Sequence, residues 1–149
     1  MRLEPPTRER LRARARRYLE RYPASAGRLK RVLARRAERE AAMLELDRDA
    51  VLADVEAVVG GLVAQGLVDD RVYAEARLRA LLRKGRTAAR ARRELAADGI
   101  AAAVVDPLLA RHAQDAGDLD RAAAVRYARR RGLGPFRHPD ERAARRERD

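Results

Sequence analysis

Apolar residues recur every three or four positions along most of the chain, which is the spacing of one face of an α-helix. The clearest stripe consists of Val51, Val55, Val58, Val59, Leu62 and Val63. No segment alternates apolar and polar residues over a useful length, so no sheet is expected. Alanine, arginine, leucine and glutamate, all good helix formers, dominate the rest of the chain. The pattern predicts an all-α fold.

Seven helices are predicted, most of them beginning at a capping residue and ending at glycine or proline. Five of them cover residues 7–22, 25–44, 87–97, 101–114 and 118–131. The third helix begins at residue 47 or 49 and ends before the turn at Gly66, and the fourth begins at residue 69 or 70 and ends at residue 84. The sixth helix contains Pro107, so we expect it either to kink there or to begin at Asp106. The tail at 138–149 is nearly all charged and is expected to be frayed helix or disordered.

The predicted helices repeat as triplets. Segments 25–33 and 87–95 both read Ser/Thr-x-x-Arg-x-x-Arg-x-Leu. We interpret residues 8–66 as one three-helix repeat, 69–115 as a second and 118–137 as a partial third. An insertion near 38–49 is expected to lengthen the second helix of the first repeat and its loop. Stacked repeats of this kind predict an elongated module.

The charge of the chain indicates what kind of partner it binds. The chain has 35 Lys and Arg against 23 Asp and Glu, a net charge of +12. Lysine occurs only at Lys30 and Lys84, and arginine is the better bidentate ligand for phosphate and carboxylate. An anionic partner is therefore favoured, either nucleic acid or an acidic protein surface, although a merely solvated helix face is the alternative for any single arginine.

Two absences narrow the class of protein. The sequence has no cysteine, which excludes disulfides and thiol chemistry. The segment at 1–17 has no apolar run, so no signal peptide is expected, and no stretch of about 20 apolar residues predicts a membrane span; the predicted location is the cytoplasm.

The basic residues that are candidates for binding this partner concentrate on three segments. Arg28 and Arg31 share one helix face, as do Arg90 and Arg93, because residues three apart are neighbours on a helix. The full set of candidates is Arg28, Lys30, Arg31, Arg35, Arg83, Lys84, Arg86, Arg90, Arg93, Arg129 and Arg130. Since aromatic residues are few, we expect contacts to phosphate rather than base stacking, with steep salt dependence.

The stretch GLVDDRVYA at 66–74 contains adjacent carboxylates, Asp69 and Asp70. Such a pair can bind a metal, act as acid and base, or start a helix. Adjacent residues at a helix start point in different directions, and no further ligand lies at a suitable spacing. We therefore interpret one aspartate as the helix cap and the other as a first-turn charge that favours the helix dipole.

The other candidate groups receive similar structural interpretations. Ser25 and Thr87 occupy capping positions rather than nucleophile positions. His112 and His138 have no partners at ligand spacing, and Gly60-Gly61 is interpreted as a site of close helix packing rather than a phosphate loop. No catalytic residue, metal site or cofactor is predicted.

Two motifs together make the chain resemble the RecX family of regulatory proteins. They are GLVDDRVYA at 66–74 and RKGRTAARARREL at 83–95, closed by Gly99-Ile100. The resemblance covers residues 8–137. It implies tandem three-helix repeats, no catalysis, and binding to the RecA recombinase filament. It further implies inhibition of RecA's ATP hydrolysis, strand exchange and co-protease activities, and so modulation of DNA repair, homologous recombination and the SOS response.

Some members of the family also bind DNA, so single- or double-stranded DNA is a further expected partner, and the protein is expected to be a monomer. The chain departs from the family pattern in its insertion and in its third unit, which ends before a third helix. Gly134-Pro135 also replaces the usual hydroxyl cap of that unit. The alternative function is a free-standing basic helical protein that contacts nucleic-acid phosphates without sequence specificity.

Overall fold

The computed structural model describes residues 3–140, and within that range it contains seven α-helices and one short 3-10 helix. The helices are α1 (Arg8–Leu19), α2 (Ala26–Met43), α3 (Arg48–Ala64), α4 (Asp70–Arg83), α5 (Ala88–Ala97), α6 (Ala102–Ala116) and α7 (Leu119–Arg131), and the 3-10 helix is Gly134–Phe136. No strand occurs in the described range, so the predicted all-α class is confirmed.

The chain forms two compact units when it is divided by contact. The first unit runs through Ala74 and includes Ala96–Ala101, and the second comprises Glu75–Leu95 and the chain from Ala102 onward. The predicted three-helix repeats divide the chain by sequence and not by contacts, and their boundaries stay a prediction. Helix α2 has 18 residues, whereas α5, the corresponding helix of the second predicted repeat, has 10.

The core of the first unit lies where α1, α2 and α3 pack together. Helix α3 contributes most of its valine stripe, with Val55, Val58 and Val59 almost fully buried. Each such side chain stabilises the fold by roughly 1.5–3 kcal/mol relative to an exposed position. Val63 belongs to the predicted stripe but is 45% exposed, because it lies at the edge of the face centred on the buried Leu62.

The core of the second unit draws on all of its helices. The buried side chains are Leu78, Leu81, Leu82, Ala91, Leu95, Val105, Leu108, Leu109, Leu119 and Ala123. The turn after α4 runs directly against α7: a Cβ placed on Gly85 would lie 3.1 Å from the carbonyl oxygen of Ala123. Gly85 also has φ +74°, so glycine is required there both by backbone conformation and by space.

Several predicted details are wrong. Helix α1 ends at Leu19 rather than at residue 22, since the residue before Pro23 is disfavoured in the helical region. Helix α6 begins at Ala102 and runs through Pro107, so the start at Asp106 is incorrect; Pro107 has no N–H and therefore removes one backbone hydrogen bond inside the helix. Gly60 and Gly61 do not mediate close packing, because a Cβ on either would meet nothing within 4 Å.

None of the helices within residues 3–140 is long and apolar enough to cross a bilayer. The predicted charged tail falls mostly on residues 141–149, which lie outside the described residues.

Candidate protein and nucleic-acid interface

The two adjacent aspartates serve two different helices. Asp69 accepts hydrogen bonds from the backbone N–H groups of Arg71 and Val72, at 2.9 and 3.1 Å, and so caps α4. Asp70 instead accepts the backbone N–H of Ala26, in the first turn of α2, at 2.8 Å. Both carboxylates therefore stabilise helix N-termini. The hydrogen bond between Ala26 and Asp70 joins two residues that are 44 positions apart in the chain.

Ser25 is the centre of the polar contacts at the start of α2. It is fully buried, and its hydroxyl accepts the N–H of Arg28 at 3.0 Å while donating to the carbonyl of Asp98. The hydroxyl of Tyr73 donates to the carboxylate of Asp98 at 2.8 Å. Burial and this hydrogen bond together raise the pKa of Tyr73. A buried hydroxyl with both its donor and its acceptor role filled specifies one arrangement of these segments.

The start of α5 in the second unit has a simpler arrangement. Thr87 is exposed and accepts only the N–H of Arg90, at 3.2 Å. Asp120 of α7 accepts the N–H of Ala88 at 2.9 Å, as Asp70 does for Ala26. In both units, therefore, a carboxylate from a later helix holds the N-terminus of a hydroxyl-capped helix.

Two neighbouring grooves in the first unit are lined by seven arginines. The groove between α1 and α2 is lined by Arg14, Arg17, Tyr18, Arg21, Tyr22, Val32, Leu33 and Arg36. The groove beside it is lined by Arg28, Arg31, Val32, Arg35, Ala97 and Asp98. Val32 lines both grooves, so they form one continuous surface. We call this surface the basic face and define it by Arg17, Arg21, Arg28, Arg31, Arg35 and Arg36.

The basic face keeps a positive charge after its internal ion pairs are taken into account. Arg28 lies 3.6 Å from the carboxylate of Asp98, and hydrogen bonding to the Tyr18 hydroxyl raises the pKa of Arg28. Arg31 donates to the carbonyl of Ala97 at 2.5 Å, a contact that leaves its charge unneutralised. Arg17, Arg21 and Arg35 have no acidic partner within residues 3–140.

A buried carboxylate anchors one edge of the face. Glu40 receives two hydrogen bonds from Arg14, at 2.7 and 2.6 Å, and one from Arg36 at 3.0 Å. Burial acts to raise the pKa of Glu40, but the hydrogen bonds from the two guanidinium groups outweigh it and hold that pKa below its usual range. The anchor therefore fixes Arg36 in place while neutralising one of the two cations.

The remaining predicted binding residues are spread over α2, α4, α5, α7 and the turn after α4. Lys30 pairs with Glu56 at 2.7 Å, and Arg90 pairs with Glu94 at 3.1 Å. Arg83, Lys84 and Arg93 are exposed without an acidic partner in the described range, and Arg86 is half-buried. Arg129 lies 5.1 Å from the ring centre of Phe136, and Arg130 lies 6.0 Å from that of Tyr127. Of these two exposed α5 arginines, Arg90 has a carboxylate partner in the described range and Arg93 has none.

The sequence interpretation missed the α1 side of the basic face. Tyr18 and Tyr22 are four residues apart and their ring centres lie 5.3 Å apart, with Arg17 and Arg21 beside them. The alternation of arginine and tyrosine at 17–22 is visible in the sequence, but the groove itself depends on how α1 packs on α2. Among the described residues, no group of three or more acidic or histidine side chains could hold a metal ion.

Comparison with known proteins adds an independent observation. The chain is similar to the regulatory protein RecX of Myxococcus xanthus (strain DK1622). The two are 38% identical over 133 residues, which cover 89% of this chain and 70% of that protein. No family model matches the chain, and no solved structure matches it.

Proposed function

The chain belongs to the RecX family of regulatory proteins, and we propose that it binds the RecA recombinase filament and restrains it without catalysing a reaction. The restraint would act on ATP hydrolysis, strand exchange and co-protease activity, and so on DNA repair, homologous recombination and the SOS response. In this proposal the protein works as a cytoplasmic monomer without a cofactor. Its predicted three-helix repeats would follow the groove of the filament.

The family membership carries this proposal, and the basic face supports it. A RecA–DNA filament offers phosphates and acidic protein side chains, both of which arginine recognises well. The face concentrates six arginines on two contiguous grooves, and four of them lack an acidic partner in the described range. A surface with unneutralised guanidinium groups attracts such a partner over a distance and loses that attraction as salt is raised.

Co-sedimentation with RecA filaments at two salt concentrations tests the proposal. We expect the protein to pellet with filaments assembled on single-stranded DNA, and to do so less completely at the higher salt concentration. Failure to pellet with filaments at the lower salt concentration would contradict the proposal.

A matched pair of variants tests whether the basic face is the surface used. Arg35 and Arg39 lie one turn apart on α2 and are both exposed, but only Arg35 lines a groove of the face. Arg35→Glu is expected to weaken filament binding several-fold, while Arg39→Glu, with the same change of charge, is expected to weaken it much less. Equal losses in the two variants would mean that net charge, and not this face, is responsible.

The second candidate function is that of a free-standing nucleic-acid-binding protein, and the net charge of +12 favours it. It predicts equal binding to DNA with and without RecA, and no effect on RecA's activities. The same co-sedimentation experiment separates the two functions when naked DNA is added as a competitor. Competition by naked DNA at equal nucleotide concentration supports the second function, and retention on the filament supports the first.

A further inference from the structure

The groove between α1 and α2 combines cations with an exposed aromatic ring. Tyr22 is 56% exposed at its edge, and its ring centre lies 5.3 Å from that of Tyr18, with the planes tilted by 42°. Val32, itself 38% exposed, and Leu33 line the same groove. Exposed apolar surface of this kind, surrounded by arginines, suits a ligand that carries both negative charge and flat apolar groups.

The arrangement of charge favours an extended ligand. Arg17 lies in the last turn of α1 and Arg21 just beyond it, and neither has an acidic partner within residues 3–140. Arg36 faces the same groove from α2. The groove has a volume of about 260 Å³, below the roughly 300–1,000 Å³ of pockets that enclose a small molecule. A chain laid along the groove therefore fits better than an enclosed cofactor.

We propose that this groove binds single-stranded nucleic acid, with a base stacked on Tyr22 and phosphates held by Arg17 and Arg21. Stacking on an aromatic side chain requires an unpaired base, and a duplex keeps its base faces covered. An acidic peptide would satisfy the arginines but would offer no flat ring to Tyr22. The strand continues past Val32 to Arg28, Arg31 and Arg35, because Val32 lines both grooves.

This inference deepens the proposed function by naming the strand as a ligand of the basic face. It also changes the expectation drawn from the sequence, which favoured phosphate contact without stacking. The total number of aromatic residues is small, but two of them lie together in a groove lined by four arginines.

The test measures binding of a fluorescein-labelled oligothymidine of 20 nucleotides by fluorescence anisotropy, with RecA absent. Tyr22→Ala is expected to weaken binding about 5- to 150-fold, since one stacked base contributes roughly 1–3 kcal/mol. Tyr22→Phe keeps the ring and is expected to bind within twofold of the unmodified protein. Unchanged affinity in Tyr22→Ala would overturn the proposal.

Two double variants provide the control for charge. Arg17→Ala with Arg21→Ala removes two groove cations, and Arg12→Ala with Arg16→Ala removes two exposed α1 cations that do not line the groove. The groove variant is expected to lower the salt slope of binding by about 1.4, or ~0.7 for each lost phosphate contact, and the control by much less. Equal changes in both would overturn the proposal.

Two competitors identify the class of ligand. A 20-base-pair duplex and a polyglutamate peptide of matched charge are both expected to bind more weakly than the single strand, and to be insensitive to Tyr22→Ala. Tighter binding of either competitor would overturn the proposal in favour of a duplex or an acidic protein surface. Because RecA is absent throughout, this outcome is separate from that of the filament experiment.

Discussion

Glu40 and Glu94 hold the same kind of arginine pair in two different environments. Each glutamate bonds the arginine four residues before it on its own helix, Arg36 or Arg90, and a second arginine from the preceding helix, Arg14 or Arg77. The Glu40 side chain is 9% exposed and that of Glu94 is 28% exposed. The same chemistry therefore forms a buried anchor in the first unit and a half-buried group in the second.

The helix starts show the same difference between the units. Ser25 is buried and fills both its donor and its acceptor role, whereas Thr87 is exposed and only accepts. Near Ser25 the backbone packs tightly, since a Cβ on Gly27 would lie 3.2 Å from the Cα of Gly99. Ion pairs matter for stability mainly when removing one partner leaves the other buried. Polar substitutions in the first unit should therefore cost more than equivalent ones in the second.

The largest expected effect is that of Glu40→Ala. It leaves Arg14, whose side chain is 15% exposed, without a counter-charge, and breaking such a buried pair costs about 3 kcal/mol. Glu94→Ala, the matched variant in the more exposed group, is expected to cost less, about 1 kcal/mol. Urea denaturation followed by circular dichroism measures both. Equal losses in the free energy of unfolding would show that burial does not distinguish the two triads.

A smaller effect is expected for Ser25→Ala. The substitution removes a helix cap and leaves the carbonyl of Asp98 without the donor from the buried Ser25 hydroxyl, for a total of about 2 kcal/mol. Thr87→Ala removes only a cap on an exposed helix and is expected to cost about 1 kcal/mol. Thermal unfolding of the two variants gives the comparison. A Thr87 variant that melts below the Ser25 variant would reverse the order of the two helix starts.

Asp70→Ala is expected to cost about 1 kcal/mol, because it removes the acceptor of the Ala26 N–H while Asp69 continues to cap α4. Asp49, whose side chain is 93% exposed, is the control, and Asp49→Ala is expected to change stability by less than about 0.5 kcal/mol. Amide hydrogen exchange localises the effect. Faster exchange in the first turn of α2 is expected for Asp70→Ala and not for Asp49→Ala.

The smallest expected effect is on the pH dependence of the unfolding free energy. Its direction follows from the lowered pKa of Glu40. The pKa of Glu40 is lowered in the folded state, so its ionised form stabilises the fold at pH values above the unfolded pKa. That stability is lost as pH falls through the folded pKa. The difference in unfolding free energy between the unmodified protein and Glu40→Gln should therefore shrink between about pH 6 and pH 3. A constant difference over that range would contradict the assignment.

Local signals in the sequence were sufficient for the helices and for most of their starts. Ser25 precedes the N–H of Arg28 by three residues, and this local spacing makes a cap recognisable from sequence. The Arg90–Glu94 ion pair is equally local and can be predicted from its i,i+4 spacing.

Contacts between distant segments could not be derived in this way. The bond from the Ala26 N–H to Asp70 and the pairing of Arg14 with Glu40 depend on which helix faces meet. The Tyr18–Tyr22 groove has the same origin, since α2 supplies its other side through Val32 and Leu33. The periodicity of a single helix indicates that it has an apolar face, but not which helix covers that face.

The most direct test of the whole account is RecA's DNA-dependent ATP hydrolysis, measured on single-stranded DNA while the protein is titrated in. The account predicts inhibition at fewer than one molecule per RecA subunit, with Arg35→Glu requiring several-fold more protein than Arg39→Glu for the same inhibition. Hydrolysis that stays unchanged at saturating protein, while DNA alone is bound tightly, would contradict it and leave a nucleic-acid-binding protein without a RecA target.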